Sequence, residues 1–335
     1  MAQVLVVGAG VAGCTVAYTL AEHGVDVTLV EKTGLIGGKV RKYGCKSTDR
    51  CQNCGVCLTN GLWDKVEVVK GVRGTVLLTS CQGCQGDGSP DKYEAIVICT
   101  GFKNQPQPTG FSSHLQISNH KGLMTGTQLE ELLLSRTGTS LFDNSPDINQ
   151  KPNSIAFIQC VGSRDLNESG LYCSRVCCSY STRAAKVIRS YYPECKIVFF
   201  YMELQNVESG NYYGELRELG IEFIECRPLK VTGGEPITVE YDDGQEGGIK
   251  SKEFDIVVLS DGIQANDDND RLAEIYGLDV DKNGFLQTVG SCALDSAAGP
   301  KVYVAGCARA PMKIDEAYAD ALTVAGKVLL QVSKS

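Results

Sequence analysis

Gln3-Val4-Leu5-Val6-Val7 runs straight into Gly8-Ala9-Gly10-Val11-Ala12-Gly13, so a short apolar strand is followed at once by a G-x-G-x-x-G turn. A helical pattern continues through Leu20, Gly24 breaks it, and a second apolar strand, Val27 to Val30, ends at Glu31. Strand, glycine turn, helix, strand and acid in this order form the complete dinucleotide-binding fingerprint. Gly8 makes the tight turn, Gly10 lets the backbone approach a pyrophosphate, and Gly13 lets the helix pack on the strand. The helix start, with Val11 and Ala12, offers free N–H groups and a positive dipole end to phosphate oxygens. Glu31 is placed to accept hydrogen bonds from ribose hydroxyls.

The bulk composition agrees with a folded α/β protein. The chain has 335 residues, 43% hydrophobic and 21% charged, enough for two domains. Its 37 glycines are scattered, which argues against low-complexity linkers. A net charge of -8 is the wrong sign for a nucleic-acid surface. No apolar run approaches the roughly 20 residues that cross a bilayer, and Val4 to Val7 is too short for a signal peptide. A soluble, cytoplasmic protein is expected. The 16 cysteines are then unusual, because clustered cysteines in a reducing compartment bind metal or carry redox chemistry more often than they form disulfides. Cys14, Cys99, Cys195, Cys226 and Cys292 stand alone and read as small core hydrophobes. Three groups do not: Cys45/Cys51/Cys54/Cys57, Cys81/Cys84 and Cys160/Cys173/Cys177/Cys178.

Three segments resemble the two-dinucleotide-binding-domain flavoproteins. Glu31-Lys32-Thr-Gly-Leu-Ile-Gly37-Gly38-Lys39 is similar to their E-x5-G-G segment. Tyr93 to Gly101, ending Cys-Thr100-Gly101, is similar to the strand that returns to the dinucleotide sheet. Lys301-Val-Tyr-Val-Ala-Gly306-Cys307, followed by a helical Ile314 to Leu330, is similar to their last strand and helix. The resemblance implies FAD, with contacts at Gly8, Gly10, Val11, Ala12, Gly13, Glu31, Lys32, Gly38, Lys39, Val72, Thr100, Gly101, Gly306, Cys307, Ile314 and Ala317. Cys307 stands where the family places an acid that bonds the ribityl chain.

A second α/β pattern follows: strand Ser154–Gln159, helix Ser174–Tyr191, strand Lys196–Tyr201, and later strands at Gly220–Cys226 and Phe254–Ser260. The expected architecture is therefore α/β and thioredoxin-reductase-like. It has two Rossmann-type domains, the second inserted in the first: residues 1–150 and 262–335 for FAD, residues 151–261 for the insert. The first strand of the insert leads to Gln159-Cys160-Val-Gly162-Ser-Arg164-Asp165 and Tyr172-Cys173-Ser-Arg-Val-Cys177-Cys178, with no second glycine fingerprint. These two segments resemble the recurring cysteine motif of the A-subunits of heterodisulfide reductase. That resemblance implies a [4Fe–4S] cluster ligated by Cys160, Cys173, Cys177 and Cys178, with Cys173, Cys177 and Cys178 entering a helix. The C-x12-C-x3-C-C spacing departs from the usual C-x2-C repeats. Relatives often carry a lysine five residues after the Cys-Cys pair. Here that position is Arg183, a cation expected near the flavin, and the exchange argues against the electron bifurcation attributed to larger relatives.

Cys45-x5-Cys51-x2-Cys54-x2-Cys57 leaves three readings open: a second iron–sulfur or zinc site, a redox dithiol, or a cysteine-rich loop without metal. Cys81-Gln-Gly-Cys84 reads as a hairpin tip. The three histidines, His23, His114 and His120, form no metal-binding pair, and no hydrolytic constellation or catalytic side chain is singled out. Asn266 to Asp270 lacks the glycine and glutamate of a calcium loop and reads as a solvated turn. Tyr191, Tyr192, Tyr212 and Tyr213 read as packing residues.

The expected function is an electron-transfer subunit that exchanges electrons between FAD and cluster, without NAD(P)H and without bifurcation. The resemblance implies partner subunits of a complex in sulfur or disulfide metabolism, with a homodimer in isolation. Two rivals are a nicotinamide-dependent flavin disulfide reductase using a Cys51/Cys54 dithiol, and a flavin-bearing scaffold without turnover.

Overall fold

The structure is a computed structural model that describes residues 3–69, 76–80, 92–104, 120–134, 141–142, 151–164, 171–205, 212–244, 246–287 and 301–333. The first half runs β1 (Gln3–Val7), α1 (Val11–Glu22), β2 (Asp26–Glu31), α2 (Leu62–Val69), β3 (Val76–Ser80), β4 (Ala95–Ile98), β5 (Leu123–Thr125), α3 (Gly126–Leu134), β6 (Ser154–Val161) and α4 (Cys177–Tyr191). The second half runs β7 (Lys196–Tyr201), α5 (Tyr212–Glu218), β8 (Ile221–Glu225), β9 (Lys230–Thr232), β10 (Ile237–Asp242), β11 (Ile249–Phe254), β12 (Ile256–Asp261), α6 (Asn269–Tyr276), β13 (Asp279–Val280), β14 (Leu286–Gln287), β15 (Lys301–Val304) and α7 (Ile314–Val332).

The chain divides into two compact units. The first comprises residues 1–41, 55–103 and 265–335; the second comprises 42–54 and 104–264. The second unit thus starts earlier than the expected residue 151, because β5 pairs with β12 and belongs to its sheet. It also takes in residues 42–54.

The first unit is built on a parallel sheet of order β15-β4-β1-β2-β3. Its strands β1 and β4 are apolar on both faces, as a parallel sheet covered on both sides requires. Val4 and Val6 face α1 and α7, where Val16, Leu20, Val324 and Val328 fill the core. Leu5 points the other way, joining Ile96, Ile98, Leu272 and Val304. The second unit carries a parallel sheet of order β5-β12-β6-β7-β8 and a small antiparallel sheet, β11-β10-β9. Ile155 and Phe157 of β6 pack against Leu129 and Leu133 of α3 and Val187 and Ile188 of α4. Phe157 stacks on Phe199 with ring centroids 4.7 Å apart. Ala156 and Ile158 turn to the other face, against Val239 and Phe254. The expected α/β class with two Rossmann-type units is therefore the observed one.

Helix α4 starts later than the expected Ser174. Arg175 has φ +64°, a left-handed conformation that cannot be part of a right-handed helix. Cys173 accordingly precedes the helix instead of lying on it. Asn266 to Asp270 is not merely a solvated turn. Asn269 begins α6, is buried, and donates to Gly284 O at 2.8 Å, while Asn266 Nδ2 donates to Thr100 O at 2.8 Å. Among the lone cysteines, Cys14, Cys99 and Cys195 are buried and Cys226 is half-buried. Tyr192 is buried, and its hydroxyl accepts the Leu141 N–H at 3.0 Å. Val72, Cys81, Cys84, His114 and Cys292 lie outside the described residues, as do the side chains of Tyr212 and Tyr213. Among the described residues no helix is long and apolar enough to cross a membrane.

Candidate functional sites

The turn after β1 is shaped by what its glycines exclude. A Cβ on Gly13 would stand 1.8 Å from Gly8 O, and one on Gly8, at φ +100°, would stand 2.5 Å from Cys99 O. Around Gly10 the space is open. The Gly37-Gly38 segment folds back onto this turn: Gly37 N–H donates to Ala9 O at 2.7 Å, and a Cβ on Gly38 would come 2.9 Å from Gly10 Cα. The spacing between the two glycine motifs thus has a steric cause. Val11 and Ala12 form the first turn of α1, which has no acidic residue there to compete with an anion.

Glu31 ends β2. Its Oε2 accepts the Ala9 N–H at 2.9 Å, and its Oε1 accepts the Thr33 N–H at 3.0 Å and the Thr33 hydroxyl at 2.9 Å. These bonds orient the carboxylate, with lone-pair capacity remaining on Oε2. Lys32 is exposed. The Lys39 ammonium sits 5.1 Å from the Phe102 ring centroid. Thr100 follows β4, and its Oγ1 is buried with no hydrogen-bond partner among the described residues, a placement that costs free energy unless a ligand supplies the bond.

Gly306 and Cys307 form a short 3-10 turn after β15, with Ile314 and Ala317 in the first turn of α7. A Cβ on Gly306 would lie 2.8 Å from Ala12 Cβ, so this turn meets the start of α1 closely. The Cys307 thiol donates to Met312 O at 3.6 Å, and burial pushes its pKa up to about 12, so it carries no charge. The carboxylate at this turn comes instead from Asp320 of α7, which accepts the Gly306 N–H at 2.8 Å and pairs with Arg309. No signal in the sequence marked Asp320, since an acid within a helix ordinarily faces water.

In the second unit, Cys160 near the end of β6 and Cys177 and Cys178 at the start of α4 are buried; Cys173 is half-buried. The four thiols lie within electrostatic reach of one another. Burial and the neighbouring Cys178 push Cys160 up to about 11. A hydrogen bond between the Cys177 and Cys178 thiols raises Cys177 and lowers Cys178, which also gains the Gln205 backbone N–H and the Arg164 charge. The backbone is strained here. Cys160 (φ +58°), Arg164 (φ +58°) and Arg175 (φ +64°) are three of the four non-glycine residues with positive φ among those described. Buried Ser163 and Ser174 share a hydroxyl–hydroxyl bond of 2.5 Å, and a Cβ on Gly262 would strike Ser174 Oγ at 1.9 Å. Among the described residues no three His, Cys, Asp or Glu side chains converge as a single-ion site.

Arg183 lies on α4. Its Nε donates to Gln52 O at 2.7 Å and its Nη2 to Asn53 O at 3.0 Å, so the guanidinium grips the cysteine-bearing loop 42–54. A further buried polar group in this unit carries no signal in the sequence. Asp261, at the end of β12, accepts the Thr127 N–H at 3.0 Å and the Thr127 hydroxyl at 2.7 Å, while the Tyr180 hydroxyl donates to Asp261 O at 2.8 Å. Burial holds the Asp261 carboxyl above its ordinary range.

Two parallel Rossmann-type units of this construction define the thioredoxin-reductase-like fold. The chain is similar to the thioredoxin reductase of T. acidophilum, at 16% identity and TM-score 0.58 over 98% of this chain and all of that one. It is also similar to that of Lactococcus lactis, at 15% identity and TM-score 0.60 over the whole of both. A family model described as an NAD(P)-binding Rossmann-like domain matches residues 6–56. In sequence, the chain is 25% identical to the A-subunit of the ferredoxin/F(420)H(2)-dependent CoB-CoM heterodisulfide reductase of Methanosarcina acetivorans, over 98% of this chain and 53% of the relative. It is 30% identical to the A-subunit of the H(2):CoB-CoM heterodisulfide,ferredoxin reductase of Methanothermobacter marburgensis, over 74% of this chain and 39% of the relative. The chain is thus similar to the A-subunits of heterodisulfide reductase, and it spans about half or less of the length of these curated relatives.

Proposed function

We propose that this protein is an electron-transferring oxidoreductase subunit that binds FAD in its first unit and a [4Fe–4S] cluster in its second. The single observation that carries this reading is the connection from β6 to α4, where Cys160 and Cys177 are each perturbed by the other cysteines of a set of four, three of them buried, at the place where the first unit has its glycine turn. The donor set suits a cubane, which takes four thiolates and keeps them further apart than the ligands of a single ion. Bound there, the cluster would accept and donate single electrons. Gly10, the first turn of α1 and Glu31 would hold the pyrophosphate and ribose of FAD, and the unpartnered Thr100 hydroxyl would find its hydrogen bond on the cofactor. Val72, Lys32, Lys39, Gly101, Ile314 and Ala317 complete the proposed flavin contacts.

The second unit would bind no NAD(P)H, because Gln159-Cys160-Val161-Gly162 offers no glycine fingerprint. Electrons would come from other subunits of a heterodisulfide-reductase-like complex in sulfur or disulfide metabolism, without bifurcation. The protein would be cytoplasmic and form a homodimer in isolation. Anaerobic mixing tests this. Dithionite is expected to reduce flavin and cluster, while NADH and NADPH leave the flavin oxidised. Rapid bleaching by either nucleotide would contradict the reading and favour a flavin disulfide reductase.

A further inference from the structure

The segment 42–54, part of the second unit, is anchored more firmly than a connection requires. The Lys46 ammonium is almost wholly buried; it donates to Gly44 O at 2.7 Å and forms an ion pair with buried Glu130 of α3. Burying two charges costs desolvation free energy, offset here by their mutual pairing and the Gly44 hydrogen bond. Gln52 is buried as well, its Nε2 donating to Lys46 O at 2.5 Å. Arg183 holds the next two carbonyls, and Asn53 is forced to φ +48°. Asn53 is the fourth of the positive-φ non-glycine residues, so all four sit in cysteine-bearing segments. On this backbone Cys51 is exposed and Cys54 half-buried. The Asn53 N–H donates to Cys51 Sγ at 3.4 Å.

We propose that Cys51 and Cys54 form a solvent-facing dithiol that exchanges with small-molecule disulfides, a site other than the flavin turn and the cysteine quartet of Cys160. C-x-x-C spacing suits this, since it keeps the two thiols within one short segment. Exposed Cys51 is the attacking sulfur. Its thiolate displaces one thiol from the disulfide and forms a mixed disulfide. Cys54, shielded from direct attack, then closes on Cys51 Sγ and releases the second thiol. Two electrons pass from the dithiol to the incoming disulfide, and the two cysteine protons leave on the released thiols.

The test uses the full chain under anaerobic conditions, with oxidised glutathione as the probe, alkylation and peptide mapping as the readout, and flavin and iron assayed in parallel. The expected result is one Cys51–Cys54 disulfide and two molecules of reduced glutathione per chain. Cys54→Ser should trap glutathione on Cys51, with flavin and iron content as in the unmodified protein. Three results would overturn the proposal: no exchange at Cys51, pairing of Cys51 with exposed Cys45 instead of Cys54, or loss of iron or zinc in Cys51→Ser. The flavin and iron assay keeps failure of this site distinct from failure of the proposed function.

Discussion

In the first unit, Gly8, Ala9 and Gly10 alone join β1 to α1. In the second unit, β6 ends at Val161 and α4 does not begin until Cys177. Both connections leave the C-terminal end of the central strand of a parallel sheet, and in the proposed reading they differ in which atoms would serve a ligand. The first removes side chains so that backbone N–H groups come close to an anion. Under the proposed cluster reading the second would present side-chain sulfurs instead, over a longer stretch of sequence with left-handed residues at Cys160, Arg164 and Arg175. One topology can thus hold a nucleotide through its main chain or present a thiol set through its side chains.

The largest expected effect comes from filling the first turn. Gly13→Val would drive a side chain into Gly8 O, lower stability by about 3 kcal/mol or more, and yield protein without flavin in absorbance spectra. Flavin at the wild-type level would break the comparison on the nucleotide side. Next, Cys178→Ser should abolish iron binding while flavin stays bound, read by metal analysis beside the flavin spectrum. Joint loss of flavin and iron would mean that the two turns are not independent sites.

A smaller effect sharpens the role of Thr100. Removing its unpartnered hydroxyl in Thr100→Val should weaken flavin about tenfold, roughly 1.4 kcal/mol, yet leave the flavin-free protein as stable or slightly more so. Isothermal titration and chemical denaturation measure the two quantities separately. The smallest effect concerns Asp261. Its raised pKa means that the folded state holds a proton more readily than the unfolded chain. Its stabilising contribution is full below the ordinary carboxylate value of about 4 and is lost as pH rises through the raised folded value. Asp261→Asn should flatten that slope in denaturant midpoints measured from about pH 4 to about pH 8. An unchanged slope would remove Asp261 from the account.

Much of the frame was legible because it rests on local signals. The apolar run of β1, the glycine spacing and Glu31 each have a short-range cause, and α1, β2, β7 and α7 fall close to where the pattern puts them. The residues that were missed owe their roles to distant partners. Lys46 reads as a solvated loop lysine until Glu130, far along the chain, is folded against it. Asp320 reads as a helix-surface acid until Gly306 N–H meets it. Cys173 was expected to enter a helix reaching back to Ser174, and the left-handed Arg175 keeps it off. Arg183 was expected as a cation near the flavin, and its grip on Gln52 and Asn53 had no sequence signal.

The central claim is that the turn after β6 exchanges a nucleotide for an iron–sulfur cluster. Anaerobic EPR of the dithionite-reduced protein, with iron, sulfide and flavin assayed on the same sample, tests it most directly. The account predicts about four irons and four sulfides per flavin, with a reduced [4Fe–4S] signal that disappears when Cys160, Cys173, Cys177 and Cys178 are replaced by serine. Flavin without iron, or a cluster that survives those replacements, would contradict it.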